Sequence, residues 1–99
     1  MPYKLVLAPS FKKAYAKLGK KEQAQVENKI RQLAIDPWHP SLRVKHIRAS
    51  REFECSVNMD VRIAFKFEEG HLILLLDVDH HDALLRRRTR REKSLLTDL

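Results

Sequence analysis

Two hydrophobic periods alternate along this chain, and they lay out its elements. Tyr3 to Ala8 reads as a strand, with Tyr3, Leu5 and Leu7 on one face. Pro9 and Ser10 then open a helix, where proline is tolerated because the first N–H groups lack partners anyway. Phe11, Tyr15 and Leu18 recur at helical spacing as its inner stripe, and Gly19 ends it. A second helix from about Lys20 to Ile35 carries Val26, Ile30 and Leu33 on one face and stops at Asp36-Pro37. So short a turn between the two makes them an antiparallel hairpin. Residues 37–50 read as a loop with a short edge strand at Arg43 to Arg48. Three strands follow. Glu52 to Asn58 points Phe53, Cys55 and Val57 inward, and Val61 to Glu68 does the same with Val61, Ile63, Phe65 and Phe67. His71 to Val78 is apolar on both faces, the mark of a central strand. Asp82 caps a C-terminal helix, since a carboxylate is favoured at that end.

The pattern predicts an α+β fold: an N-terminal strand, an antiparallel helical hairpin, an antiparallel β-meander and a C-terminal helix. Residues 1–99 form a single domain, with a basic C-terminal helix over 83–99. If Glu69 and Gly70 are the two turn residues, Phe67 faces Leu72 and Arg62 falls opposite Asp77. A three-residue turn at Asn58, Met59 and Asp60 puts Ser56 opposite Arg62. Glu54, Ser56, Arg62, Lys66 and Asp77 then share one face, a shallow polar floor, while the helical hairpin covers the other.

Charge adds a bias toward particular partners. The net charge of +7 is distributed as +8 over residues 1–50, −5 over 51–82 and +4 over 83–99. A basic balance favours polyanions, because each phosphate contact releases counterions. The hydrophobic fraction of 43% supports one core in a chain of 99 residues, and the longest apolar run, Leu72 to Leu76, is too short to cross a bilayer. The N-terminal apolar stretch lacks the length of a secretory leader. Cys55 is the single cysteine, so no intrachain disulfide forms, and a cytoplasmic protein is expected. Leu84 and Leu85 open the C-terminal helix and Leu95 and Leu96 close it, with no apolar residue from Arg86 to Ser94. A stripe interrupted for two turns predicts a loosely docked helix that binds a partner through its arginines.

Two constellations carry candidate chemistry. The run DVDHHD, Asp77 to Asp82, combines histidines and carboxylates as metal and acid–base sites do. A strand alternates their directions, however, so no metal site is expected and no cofactor. Arg62 lies on the polar face, either paired across the strand with Asp77 or aimed at a phosphate, for which its planar fork is suited.

The string APSFKKAYAKL, the second helix, the loop DPWHPSLRVKHI, the strand NMDVRIAFKF and the closing LLLDVDHHDALLRR together resemble the RelE/ParE superfamily of toxins. The resemblance runs from about Tyr3 to Arg88. It implies a microbial-ribonuclease-like fold and, for the RelE/YafQ-like branch, a metal-independent mRNA endonuclease. Such an enzyme acts on mRNA in the ribosome and is held inactive by a cognate antitoxin. The RNA 2′-hydroxyl attacks the adjacent phosphate, a base takes its proton, an acid protonates the leaving 5′-oxygen, and cations stabilise the developing charge. By position, Arg62 would stabilise the phosphate and His81 would be the acid, with His39 and Asp60 matching further YafQ-like catalytic residues. Lys45 and Arg43 in the loop, His80, and Arg86 and Arg87 in the last helix would bind RNA. Relatives commonly carry Tyr or Phe to stack on a base where Leu85 stands, and a YafQ-like histidine corresponds to Ser56. A gyrase-directed ParE-like toxin or a degenerate, inactive relative is the alternative that the resemblance implies.

Overall fold

The computed structural model describes residues 2–47 and 50–88. Strand β1 (Lys4–Leu7) leads into helices α1 (Pro9–Ala16) and α2 (Lys20–Ile35). A short 3-10 turn (Pro40–Leu42) follows, then strands β2 (Lys45–His46), β3 (Phe53–Ser56), β4 (Val61–Glu68) and β5 (Leu72–His80). A final helix, α3, covers residues 81–88, and whatever the sequence predicts beyond that lies outside the described residues. The sheet order is β1-β5-β4-β3-β2, antiparallel except that β1 runs parallel to β5. The predicted meander is therefore present, and the N-terminal strand joins its far edge. That makes β5 a central strand, as its two apolar faces foretold.

Where β1 stops, α1 takes over the exposed edge of β5. The Ala8 N–H donates to the Leu75 carbonyl at 2.9 Å, and the Ser10 hydroxyl donates to the Leu76 carbonyl at 2.5 Å. Ser10 thus satisfies a strand acceptor that has lost its neighbour. Gly19 does not end α1 in a left-handed conformation. It stands at φ −69° as the residue preceding α2, so its role is that of an extended link. Leu7 is also not an inner residue: it is 40% exposed, because β1 is an edge strand and only Tyr3 and Leu5 reach the core.

The main core lies between the hairpin and one sheet face. Phe11, Val26 and Leu33 from the helices and Leu42 from the turn meet Cys55, Ile63, Phe65, Ile73, Leu75 and Val78, all almost fully buried. Burial pushes the Cys55 thiol up to about 12, which leaves it inert as a nucleophile.

The register departs from the two-residue turn read from the sequence. His71 adopts φ 57° next to Gly70 at φ 83°, so the β4–β5 turn has three residues and Glu68 faces Leu72. A bulge then intervenes: Phe65 faces Leu75 but Ala64 faces Asp77, leaving Leu76 unpaired. Arg62 consequently opposes Asp79, not Asp77, while Ser56 opposes Arg62 as expected. The polar face is not polar throughout, because Leu76 packs there with Ile47, Ala64 and Leu84 in a second small cluster.

That cluster seats α3. Leu84 is fully buried, Arg88 makes two hydrogen bonds to Glu52 (2.7 and 2.6 Å), and Arg87 reaches two strand carboxylates. The first two turns of α3 are therefore docked, while the loosely attached stretch expected beyond Arg88 lies outside the described residues. Asp82 lies inside the first turn and not before it. Leu84→Ala is expected to cost about 2–5 kcal/mol of stability, as a buried leucine truncation does. Urea denaturation measures the loss; a change below about half a kcal/mol, with fast amide exchange over 81–88, would mean that α3 is not integral to the fold.

Candidate functional site

Six of the nine candidate residues fall into two groups, and His81, Lys45 and Arg86 stand apart from both. The first surrounds a cleft of about 320 Å³ formed by α2, the 3-10 turn and the β3–β4 turn. Its lining includes Lys29, Ser41, Arg43, Ser56, Asn58 and Arg62, and no carboxylate. Asn58 builds the turn: its side-chain oxygen accepts from the N–H groups of Asp60 and Val61, both at 2.8 Å. Its amide also donates to Gln25 on α2 at 2.9 Å, fastening the turn to the helix. The Asn58 carbonyl accepts from Ser56 Oγ at 3.0 Å and from Arg62 Nη1 at 2.7 Å. Arg62 is thus aimed by backbone oxygens and keeps its full charge for the cleft.

Arg43 enters the same cleft from the end of the 3-10 turn. It sits at φ 49°, ψ 49°, a left-handed conformation that costs a non-glycine residue about 1 kcal/mol or more. His39 starts that turn. Its Nδ1 accepts from the Ser41 N–H at 3.2 Å and lies 2.8 Å from Ser41 Oγ, so the neutral ring carries its proton on Nε2. Through Ser41, His39 is joined to the cleft. Lys29 and Asn58 are additions that the sequence reading missed. Lys29 follows Val26 by three residues and precedes Leu33 by four, and a cation within an inner stripe is the signal that would have found it.

The second group faces α1 across a separate cleft of about 480 Å³ that includes Lys13, Lys17, Glu22, Asp79, His80 and Arg87 in its lining. Here Asp60, His80 and Arg87, expected in catalysis or RNA binding, each have a charged partner in the fold. Asp60 hydrogen-bonds His80 Nδ1, and Glu22 stands 3.8 Å from its Nε2. The Arg87 guanidinium grips Asp77 through Nε and Nη2, both at 3.0 Å, and Asp79 through Nη1 at 2.6 Å. Asp60, His80 and Arg87 therefore act as internal ties. Asp77, expected to pair with Arg62, is claimed by Arg87, because the longer turn and the bulge together shift β5 two residues along β4.

His81 joins neither cleft. Its N–H donates to the Asp60 carbonyl at 2.7 Å, and its Nδ1 is buried without a hydrogen-bond partner among the described residues. A buried, unpaired ring nitrogen costs about 1–3 kcal/mol and calls for a reason beyond stability. Glu54, 6% exposed, has an equally bare Oε2. Lys45 opposes Glu54 from the exposed edge strand β2, and Arg86 is exposed on α3. Among the described residues no cluster of three or more His, Cys, Asp or Glu side chains could hold a metal, and no helix is long and apolar enough to cross a membrane.

The ties set protonation. The hydrogen bond to Asp60, helped by the charges of Asp60, Glu22 and Asp79, raises His80 above its ordinary 6.5 although burial opposes it. Burial would raise Asp79, but Arg87 and the His80 N–H together hold it below the ordinary 3.8. A raised histidine contributes stability that is complete below pH 6.5 and is lost as pH climbs through the higher folded value. The Asp79 contribution has the opposite window, present above 3.8 and lost as acid reaches the lowered folded value. In low salt, the melting-temperature gap between the wild type and His80→Gln should therefore narrow as pH rises from about 6 to 9. A gap constant across that range would show that the charge on His80 contributes nothing.

No family model and no curated protein matches the sequence. Solved structures do match. A chain of the RelBE2 toxin–antitoxin complex from Mycobacterium tuberculosis is 21% identical with a TM-score of 0.68, the match covering 82% of this chain and all of that one. YafQ from Escherichia coli is 17% identical with a TM-score of 0.66, over 83% and 97% of the two chains. The RelE–RelB complex of Pyrococcus horikoshii gives 15% and 0.68, over 81% and 96%. The strand, the hairpin, the mixed sheet and the closing helix thus recur together, and this chain carries the fold of the RelE/ParE superfamily of toxins.

Proposed function

We propose that the protein is the toxin of a type II toxin–antitoxin system and that it cleaves mRNA on the ribosome without a metal. The observation that supports this most is the cleft at the β3–β4 turn. Lys29, Arg43 and Arg62 come from three different elements and meet in a lining without a carboxylate. Three cations gathered without a counter-charge repel one another, and a phosphate relieves that repulsion. Arg62 would hold the scissile phosphate and stabilise the charge that develops as the 2′-hydroxyl attacks. His39, with its proton on Nε2 when neutral, and His81, with an unpaired ring nitrogen, are the candidates for proton transfer. Arg86 and Lys45, both exposed, would add phosphate contacts along the strand. A cognate antitoxin would be the protein partner, since the similar RelBE2 and RelE–RelB structures are toxin–antitoxin complexes. The expected setting is the cytoplasm, where ribosomes and mRNA are found.

The alternative is a non-catalytic toxin, directed at gyrase or inactive. It draws support from the internal pairing of Asp60, His80 and Arg87, which a purely structural end of the sheet would also show.

Primer extension on ribosome-bound mRNA after induced expression tests the choice. Arg62→Ala and His81→Ala should each reduce cleavage by about 10²–10⁴-fold while circular dichroism stays native. Asp60→Asn should lower thermal stability and leave cleavage largely intact, because its carboxylate serves His80. Undiminished cleavage in both the Arg62 and His81 variants would sink the catalytic assignment, and no cleavage by the wild type alongside growth arrest would favour the alternative.

A further inference from the structure

Trp38 is the only tryptophan in the chain and is 59% exposed, although a large aromatic side chain loses much by facing water. It is held there, not merely left there. Its ring meets Phe53 edge-on at 5.9 Å and stacks against Phe67 at 5.7 Å. The Trp38 backbone N–H donates to the Asp36 side chain at 3.1 Å, and the His39 backbone N–H donates to the Asp36 carbonyl at the same distance. Pro37 and Pro40 bracket the pair and fix two more backbone angles. His46, also exposed, meets Phe53 edge-on with ring centroids 5.1 Å apart. The result is a rigid aromatic ring with one face available.

The segment that carries this ring is basic. Between Asp36 and Glu52 the sequence holds four Lys or Arg residues and two histidines, and the Asp36 carboxylate at its start is engaged by the Trp38 backbone N–H. The same loop runs from Trp38 through His39 and Ser41 to Arg43 in the cationic cleft. A 3-10 turn advances only about 2 Å per residue, so ring and cleft lie on the scale of a few nucleotides of one strand. An exposed, immobilised aromatic ring beside a basic track is the chemistry that binds single-stranded nucleic acid, with stacked bases on the ring and phosphates on the cations.

We propose that Trp38, supported by Phe53 and Phe67, is a base-stacking platform for the single-stranded RNA whose phosphate occupies the Lys29–Arg43–Arg62 cleft. The proposal rests on the RNA-binding reading of that cleft and adds a subsite to it. It also places stacking on the loop side of the cleft, in a chain where position 85 on α3 is a leucine.

Because Trp38 is the sole tryptophan, its fluorescence reports on the platform directly. The probe is a short, end-labelled single-stranded RNA with 2′-O-methyl sugars, which cannot be cut by 2′-hydroxyl attack. Label anisotropy follows binding, and Trp38 emission follows stacking in the same titration at low salt. Binding should quench Trp38, Trp38→Ala should weaken it about 5- to 150-fold, and Trp38→Phe, which keeps a ring, should retain most of the affinity. RNA that binds without changing Trp38 emission, and with equal affinity in Trp38→Ala, would overturn the platform while leaving the cleft reading in place. Trp38 emission that responds to an added protein partner but not to bound RNA would also overturn it and assign the ring to a protein interface. No anisotropy change at any concentration would instead remove the RNA reading, and the platform with it.

Discussion

The structure turns on a one-residue slip in its central strand. β5 is paired on both sides, so its register dictates which side chains face the hairpin and which face α3. The unpaired Leu76 resets that alternation halfway along. Beyond it Val78 enters the main core, and Asp77 and Asp79 stand on the face where α3 lies. Leu76 itself fills the small apolar cluster beneath Leu84. Without the slip, strict alternation from Leu75 would send Asp77 toward the core, where an unpaired carboxylate is prohibitive. The bulge thus lets one strand serve an apolar helix pair on one side and a basic helix on the other.

The basic helix is what makes the acidic sheet tolerable. Residues 51–82 carry a net −5, an awkward surface for a partner made of phosphates. Much of that charge is internally answered: Glu52 by Arg88, Asp77 and Asp79 by Arg87, and Asp60 by His80. Carboxylates and cations are therefore segregated. The acids are consumed around β5 and α3, while Lys29, Arg43 and Arg62 are left uncompensated at the opposite side of the β3–β4 turn. Segregation of this kind concentrates positive potential in one cleft even though the neighbouring strands are acidic. It also separates roles along the sequence, since Asp77 to His80 tie the fold together and the cations free of carboxylate partners come earlier in the chain.

Periodicity alone determined the elements. The strand, the hairpin, the three later strands and the final helix all follow from apolar residues recurring every second or every third to fourth position; of the inward sets, Cys55, Val57, Val61, Ile63 and Phe65 are buried and Phe53 and Phe67 partly so, while Glu54 and Ala64 are buried on the other face. The pairing of Ser56 with Arg62 was also legible, because a turn of three residues fixes it. The placement of β1 beside β5 was not, since parallel pairing joins segments distant in sequence without a turn to signal it. Nor was the bulge, because an extra residue in an apolar run leaves no mark on the pattern. The longer turn and the slip together moved Arg62 from Asp77 to Asp79 and left Asp77 to Arg87. It was likewise the tertiary structure that brought Lys29 to Arg43 and Arg62, and that drew Asp60 and His80 together. Local pattern records which way a side chain faces within its own element. Which charge lies within 3 Å of which other is set by how elements pack and slide against one another, and only the folded chain contains that information.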